Sequence, residues 1–396
     1  MADPLVIIGA GQAASQLMAS LAQDGFAGEV CLVGDEPHLP YQRPPLSKKF
    51  LAGELALDRL YVKPAAFYEK AGSRLLLGRR AERIDRTGRA VLLADGSRLP
   101  YSTLVLATGS RPRELPLPGA FYLRNIADVD AIRPRLAPGK SLVVIGGGYI
   151  GLELAAVAVK LGVHVTVLEQ APRLMVRGVG PVVSQFYARI HGEEGVVIRT
   201  GAVVRGLEGQ RVVCEDAQYD ADIVVVGAGA VPNVELAREA GLTVEDGIVV
   251  DAECRTEDPA IYAIGDCTSQ HHDLAGRRLR LESVHNALEQ ARIAAAAICG
   301  RKPPVVQVPW FWTDQYDVKM QMAGLSAGHD RAVVRGNPDS GRSFAVFYLR
   351  EGALIAVDAV NRAPEFMMSK QLIAERAKID PARLGDESVA MKDMRN

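Results

Sequence analysis

The sequence predicts an α/β protein: two doubly wound units of parallel sheet, then a C-terminal α+β domain. Three observations carry this. The apolar run Leu5-Val6-Ile7-Ile8 leads straight into Gly9-Ala10-Gly11-Gln12-Ala13-Ala14. The same order recurs at Leu142-Val143-Val144-Ile145 and Gly146-Gly147-Gly148-Tyr149-Ile150-Gly151. From about Pro309 the texture changes to alternating runs such as Phe344-Ala345-Val346-Phe347-Tyr348 and Leu354-Ile355-Ala356-Val357, the pattern of an antiparallel sheet.

In each repeat a strand-like run is followed by glycines and then by helical spacing. Leu17, Met18 and Leu21 mark the first helix; Leu154, Val157 and Leu161 mark the second. Glycines in such a turn let the backbone approach a pyrophosphate, and the helix N-terminus adds free N–H groups and partial positive charge. Both units are therefore Rossmann-like dinucleotide-binding units. Gly9, Gly11, Ala13 and Ala14 cradle one ligand; Gly146, Gly148, Tyr149, Ile150 and Gly151 cradle the other.

The acidic partners are present as well. Glu29-Val30-Cys31-Leu32-Val33-Gly34 reads as the next strand and Asp35 follows it, 21 residues past Ala14. Val163 to Leu168 reads as the matching strand, and Glu169 ends it, 18 residues past Gly151. A carboxylate there binds ribose hydroxyls, and at the second site it repels a 2′-phosphate, favouring NADH. Arg173 nearby softens that preference in this reading. Further strands end in glycine at Thr108-Gly109 and at Gly227-Ala228-Gly229. Ile261 to Asp266 is another strand ending in Gly-Asp, placed back in the first domain. A helix capped by Ser283 follows, with Val284, Ala287, Leu288 and Ala291 as its apolar stripe, and Gly300 and Pro303 end it. The expected domains are 1–113 with 243–308, 114–242, and 309–396.

Bulk properties exclude some classes. A net charge of −1 over 396 residues implies no broad basic face for nucleic acid. The first strand begins at once after Pro4, so no signal or transit peptide is expected, and no uncharged apolar run is long enough for a membrane. A cytoplasmic location is the expectation. The five cysteines (31, 214, 254, 267 and 299) form no Cys-x-x-Cys or Cys-x4-Cys pair, so neither a metal site nor a local redox dithiol is expected.

Arg43-Pro44-Pro45-Leu46-Ser47-Lys48, Ala107-Thr108-Gly109, the second fingerprint with Glu153, Gly265-Asp266 and Trp310-Phe311-Trp312-Thr313-Asp314-Gln315 occur in the order of a known family. The chain resembles the FAD-dependent NADH:ferredoxin reductases of oxygenase systems, in the branch of putidaredoxin reductase. The resemblance covers essentially the whole chain. It implies a glutathione-reductase-like architecture, FAD in the first unit and NADH in the second. It also implies a 2Fe–2S ferredoxin as partner, serving a bacterial haem monooxygenase or Rieske dioxygenase, and a monomer or weak dimer.

The resemblance implies further site residues. Arg43, Pro45, Lys48, Ala81, Thr108, Gly109, Arg124, Asp266 and Val284 join the FAD set, with Asp35 on its ribose. Gly227 and Gly229 join the NAD set, with Glu153 and Glu169. Glu153 lies seven residues, about two turns, past Gly146 and beside an apolar stripe, where a carboxylate is costly unless paired. In the family a lysine from the Pro-Pro-Leu-Ser-Lys stretch accompanies it, so Lys48 and Glu153 are the expected catalytic pair. Trp310 and Trp312 border the expected electron exit, and Arg277, Arg278, Arg280 and Arg292 are a candidate docking patch for an acidic partner. Two other readings compete. An NADH oxidase or coenzyme A disulfide reductase is weakened by the missing cysteine around residues 40–48. A nucleotide-responsive interaction protein like apoptosis-inducing factor needs a targeting segment and long basic stretches, and neither is visible.

Overall fold

Parallel strands buried on both faces must be apolar at every position, and that requirement explains the two runs that open the fingerprints. The computed structural model describes residues 3–394. The chain forms two compact units: Met1–Arg43, Leu57–Arg111 and Val231–Gln307 make one, and Pro44–Ala56, Pro112–Ala230 and Val308–Asn396 make the other.

The first unit holds a five-stranded parallel sheet in the order Ile261–Ala263, Thr103–Leu106, Leu5–Ile8, Val30–Gly34, Arg74–Leu77. Alternate residues of Leu5–Ile8 serve two cores. Leu5 and Ile7 pack with Leu17, Leu21, Ile264 and Ala291 under the helices Gln12–Gln23 and Val284–Ile298. Val6 and Ile8 pack on the other face with Ile84, Val91 and Leu99 of a small antiparallel sheet. The Ser283 side chain caps Val284–Ile298 by accepting from the Asn286 N–H at 3.1 Å, and Gly300, at φ +63°, follows its end.

The second unit repeats the plan with Val197–Thr200, His164–Glu169, Ser141–Ile145, Ile223–Val226 and Phe121–Tyr122, again all parallel. It also contains a five-stranded antiparallel sheet ordered Trp310–Gln315, Val318–Gly324, Ala353–Val360, Phe344–Arg350, Arg331–Gly336, with the helix Ala363–Ala374 against it. Glu351 and Gly352, at φ +52° and +78°, make the two-residue turn joining Phe344–Arg350 to Ala353–Val360.

Candidate functional site

In the first unit four loops leave the carboxyl edge of one parallel sheet, where such folds bind ligands. They carry Gly9–Gly11 after Leu5–Ile8, Asp35 after Val30–Gly34, Thr108-Gly109 after Thr103–Leu106, and Gly265-Asp266 after Ile261–Ala263. The glycines divide the work. Gly9 sits at φ +104°, and a Cβ there would lie 2.2 Å from the Ala107 carbonyl oxygen. It is required by the turn itself. A Cβ at Gly11 would meet nothing within 4 Å. That is open space in front of a helix whose first turn has no side-chain cap, and it fits a phosphate group. Ala13 and Ala14 are buried behind it, and Asp35 is exposed at the strand end.

Around this edge the Ser110 hydroxyl donates to Asp266 Oδ2 at 3.0 Å. The Thr108 turn is locked to Asn233, whose amide donates to the Thr108 carbonyl at 2.8 Å. Arg43 donates to Glu36 Oε1 at 2.9 Å and to the Tyr41 hydroxyl at 3.0 Å. Burial works against its charge, but Tyr41, Glu36 and Asp266 outweigh burial and hold the guanidinium charged. Ala81 is the buried first residue of a half-exposed strand of the small sheet, and Val284 begins the capped helix. Glu36, which orients Arg43, was not anticipated from sequence.

The second unit carries the same division of labour. A Cβ on Gly146, at φ +111°, would come within 2.5 Å of the Gly227 carbonyl oxygen; one on Gly151 would come within 2.3 Å of the Gly146 oxygen. At Gly148 nothing lies within 4 Å, and the helix Tyr149–Lys160 starts there without a side-chain cap. Ile150, in its first turn, is exposed. Glu169 folds back on the loop: its two oxygens accept from the Gly147 and Ala171 N–H groups, each at 2.7 Å. Each oxygen keeps a lone pair for a ribose hydroxyl. Arg173 donates to Val179 O and Ser184 Oγ, both at 2.7 Å, and to Val176 O, partners in its own loop and in the helix Pro181–Glu193 that follows. Arg177 instead lies beside Gly229, where a Cβ would meet its guanidinium at 3.0 Å.

Pro45, Lys48 and Arg124 belong to this second unit, and so does Glu153. Lys48 Nζ lies 2.7 Å from Glu153 Oε2, with side chains 17% and 5% exposed. Ser47 Oγ donates to the same oxygen at 2.5 Å, and Thr313 Oγ1 donates to Oε1 at 2.6 Å. Lys48 also donates to the Pro44 carbonyl at 3.2 Å. Glu153 is thus a buried carboxylate with one cation and two hydroxyl donors. Sequence pointed to the ion pair and missed both hydroxyls. A signal for Thr313 existed: on the alternating strand Trp310–Gln315 it shares a face with Phe311 and Gln315, and a polar residue on a buried face needs a partner. Trp310 and Trp312 lie on the opposite face with ring centroids 5.5 Å apart, and Lys370 stands over the Trp310 ring. Arg124 precedes the helix Ile126–Ile132, where the Asp128 carboxylate accepts its backbone N–H.

The candidate docking arginines are not alike. Arg278 donates to the Val250 and Ser269 carbonyls, and Arg280 is held by Asp246 and Glu282. Arg277 and Arg292 remain exposed. All five cysteines are free thiols, and burial pushes Cys31 up to about 11 and Cys254 higher still. Such thiols make poor nucleophiles, which disfavours thiol–disulfide chemistry. Among the described residues no cluster of His, Cys, Asp and Glu has the makings of a metal site.

Two buried groups in the second unit titrate in opposing senses. Burial drives His191 down to about 4, although Gln315 and Glu194 favour its charge. Burial pushes Asp358 up to about 7, against its hydrogen bond from Tyr348. The unfolded chain binds the extra proton at His191 between pH 6.5 and about 4, so that stability is lost as pH falls through this window. The folded chain binds it at Asp358 from about 3.8 to 7, so that stability is lost as pH rises. We expect the stability of His191→Gln relative to the parent to rise on acidification, and that of Asp358→Asn to fall, each by on the order of 3 kcal/mol. Thermal unfolding of both variants between pH 4 and 7 checks the two signs.

A family model described as pyridine nucleotide-disulphide oxidoreductase matches residues 3–291, and one described as reductase C-terminal matches residues 310–395. The chain is 46% identical to putidaredoxin reductase of Pseudomonas putida, covering 99% of this chain and 96% of that one. It is 42% identical to the ferredoxin–NAD(+) reductase component of the anthranilate 1,2-dioxygenase system of Burkholderia cepacia, covering 99% of each. The crystal structure of the covalent putidaredoxin reductase–putidaredoxin complex matches with a TM-score of 0.97 at 45% identity, covering 99% of this chain and 98% of that one.

Proposed function

The chain belongs to the pyridine nucleotide-disulphide oxidoreductase family, among its ferredoxin reductases; from that membership we propose that it passes electrons from NADH, through FAD, to a 2Fe–2S ferredoxin. The ferredoxin in turn serves a haem monooxygenase or a Rieske dioxygenase of a bacterium. The observation that carries this reading is the pair of cradles, each closed by one glycine and left open at the next. FAD, when bound, would supply the chemistry of accepting two electrons from NADH and releasing them singly.

The chain's own residues bind and orient. We assign residues 1–113 and 243–308 to FAD, 114–242 to NADH, and 309–396 to the C-terminal α+β domain. Gly11 and the N–H groups after it receive the FAD pyrophosphate, Asp35 its ribose, and Asp266 the ribityl side. Gly148 and the first turn after it receive the NADH pyrophosphate. Glu169 takes the ribose hydroxyls and disfavours a 2′-phosphate, with Arg173 committed elsewhere. Lys48 supplies positive charge for the reduced flavin, and Glu153 orients the nicotinamide carboxamide. Trp310 and Trp312 border the electron exit. No helix among the described residues is long and apolar enough to cross a membrane; a cytoplasmic monomer or weak dimer completes the reading.

The purified protein should be yellow, bleach with NADH when oxygen is excluded, and reduce 2Fe–2S ferredoxins from oxygenase systems. NADH turnover should be at least about tenfold faster with the best ferredoxin than with oxygen alone. Equal turnover with oxygen across the set favours an oxidase instead.

A further inference from the structure

The Thr-x-Gln of Trp-Phe-Trp-Thr-Asp-Gln is not used by the assignment above, yet it is buried. Thr313, Gln315 and His191 are each at most 1% exposed. Left unsatisfied, such groups cost about 1–3 kcal/mol apiece. In this protein they link end to end. Gln315 Nε2 lies 3.1 Å from Thr313 Oγ1, His191 Nε2 lies 2.8 Å from Gln315 Oε1, and the Tyr316 hydroxyl lies 2.9 Å from His191 Nδ1. The first link, Thr313 to Glu153 Oε1, joins this row to the Lys48 pair.

The direction of every link follows from the last. A carboxylate only accepts, so the Thr313 hydroxyl donates to Glu153. Its oxygen must then accept from the Gln315 amide, which turns the Gln315 oxygen toward His191. His191 therefore carries its proton on Nε2. Burial keeps the ring neutral, with its titration near 4, so Nδ1 accepts from Tyr316. Burial raises Tyr316 as well and keeps it an O–H donor. Four donors point the same way, and each polarises the next. The row does not conduct protons, because an amide N–H cannot surrender its proton and be refilled from its own oxygen without becoming an imidic acid.

We propose that Tyr316, His191, Gln315 and Thr313 form a one-way donor chain that positions the Glu153 carboxylate, fixing Oε1 so that Oε2 faces Lys48 and Ser47. These are positioning residues, and the inference rests on the reading of Glu153 given above.

The tautomer test needs neither NADH nor ferredoxin. In holoenzyme labelled with 15N-histidine, His191 is assigned by the signal lost in His191→Gln, or by the one moved in Tyr316→Phe. Its ring should be neutral and protonated on Nε2 from pH 6 to 8. Glu153→Gln should shift that Nε2–H signal, although the two residues do not touch. In a Thr313→Val background the same change should leave it in place. An Nδ1-protonated ring, or a His191 signal indifferent to Glu153→Gln, overturns the chain. For the positioning role, Thr313→Val should slow flavin reduction by NADH about tenfold, with NADH affinity within about twofold of the parent. Thr313→Ser, which keeps the hydroxyl, should restore the rate. A Thr313→Val enzyme as fast as the parent, or a Thr313→Ser enzyme as slow as Thr313→Val, overturns that role. If the parent reduces no ferredoxin, the functional reading fails while the tautomer result still decides the chain.

Discussion

Lys48→Ala is expected to slow flavin reduction by NADH about 100-fold and to lower stability. Glu153, whose side chain is 5% exposed, has Lys48 at 2.7 Å as its paired cation among the described residues. Removing one partner of a buried pair leaves the other charge uncompensated, at about 3–5 kcal/mol. Ser47 and Thr313 remain as donors, but two hydroxyls replace no charge. In the alanine variant the carboxylate would take up a proton or draw in water, and either outcome disorients it. The loss should fall on the limiting rate at saturating NADH rather than on NADH affinity, because in the role proposed for it Lys48 acts on charge that develops during electron transfer. Anaerobic stopped-flow bleaching of the flavin measures it directly. A variant that bleaches at the parent rate removes Lys48 from the mechanism.

Gly148→Val should separate ligand binding from folding. Gly148 has φ −82° and ψ −178°, ordinary extended backbone, and a Cβ there meets nothing within 4 Å. The fold therefore accepts a branched side chain at little cost. The space the valine fills is the space in front of the uncapped first turn of Tyr149–Lys160, where the NADH pyrophosphate is assigned. We expect FAD to be retained, the unfolding temperature to move by no more than about 2 °C, and NADH affinity to fall about 100-fold, or roughly 3 kcal/mol. Gly146→Ala is the contrasting variant. At φ +111°, with the Gly227 carbonyl 2.5 Å from the new Cβ, it should damage the fold before it damages binding. Titration calorimetry with NADH on both variants distinguishes the two roles; wild-type affinity in Gly148→Val places the pyrophosphate elsewhere.

Much of this was legible because it is local. A strand, a glycine turn and a helix are written in consecutive residues, and steric limits at Gly9 and Gly146 leave few other sequences for the same turn. Asp35 and Glu169 were legible for the same reason, since the length of one helix and one strand carries the chain from the turn to the next strand's end. The antiparallel strands were legible from alternation. A sequence shows a charge but not its partner: the Arg173 guanidinium donates to the Val179 and Val176 carbonyls, and Arg280 pairs with Asp246 and Glu282.

The sequence by itself determined two glycine turns between a parallel strand and a helix, the acid at the end of each following strand, and the lack of a Cys-x-x-Cys pair, all of them properties of short-range order. Only the tertiary structure decided what surrounds Glu153. Ser47 lies 106 positions before it and Thr313 160 after it, and His191 reaches it only through Gln315 and Thr313. No periodicity links residues so far apart. They meet because packing buries a carboxylate, and a buried carboxylate requires donors from whichever segments the fold brings alongside.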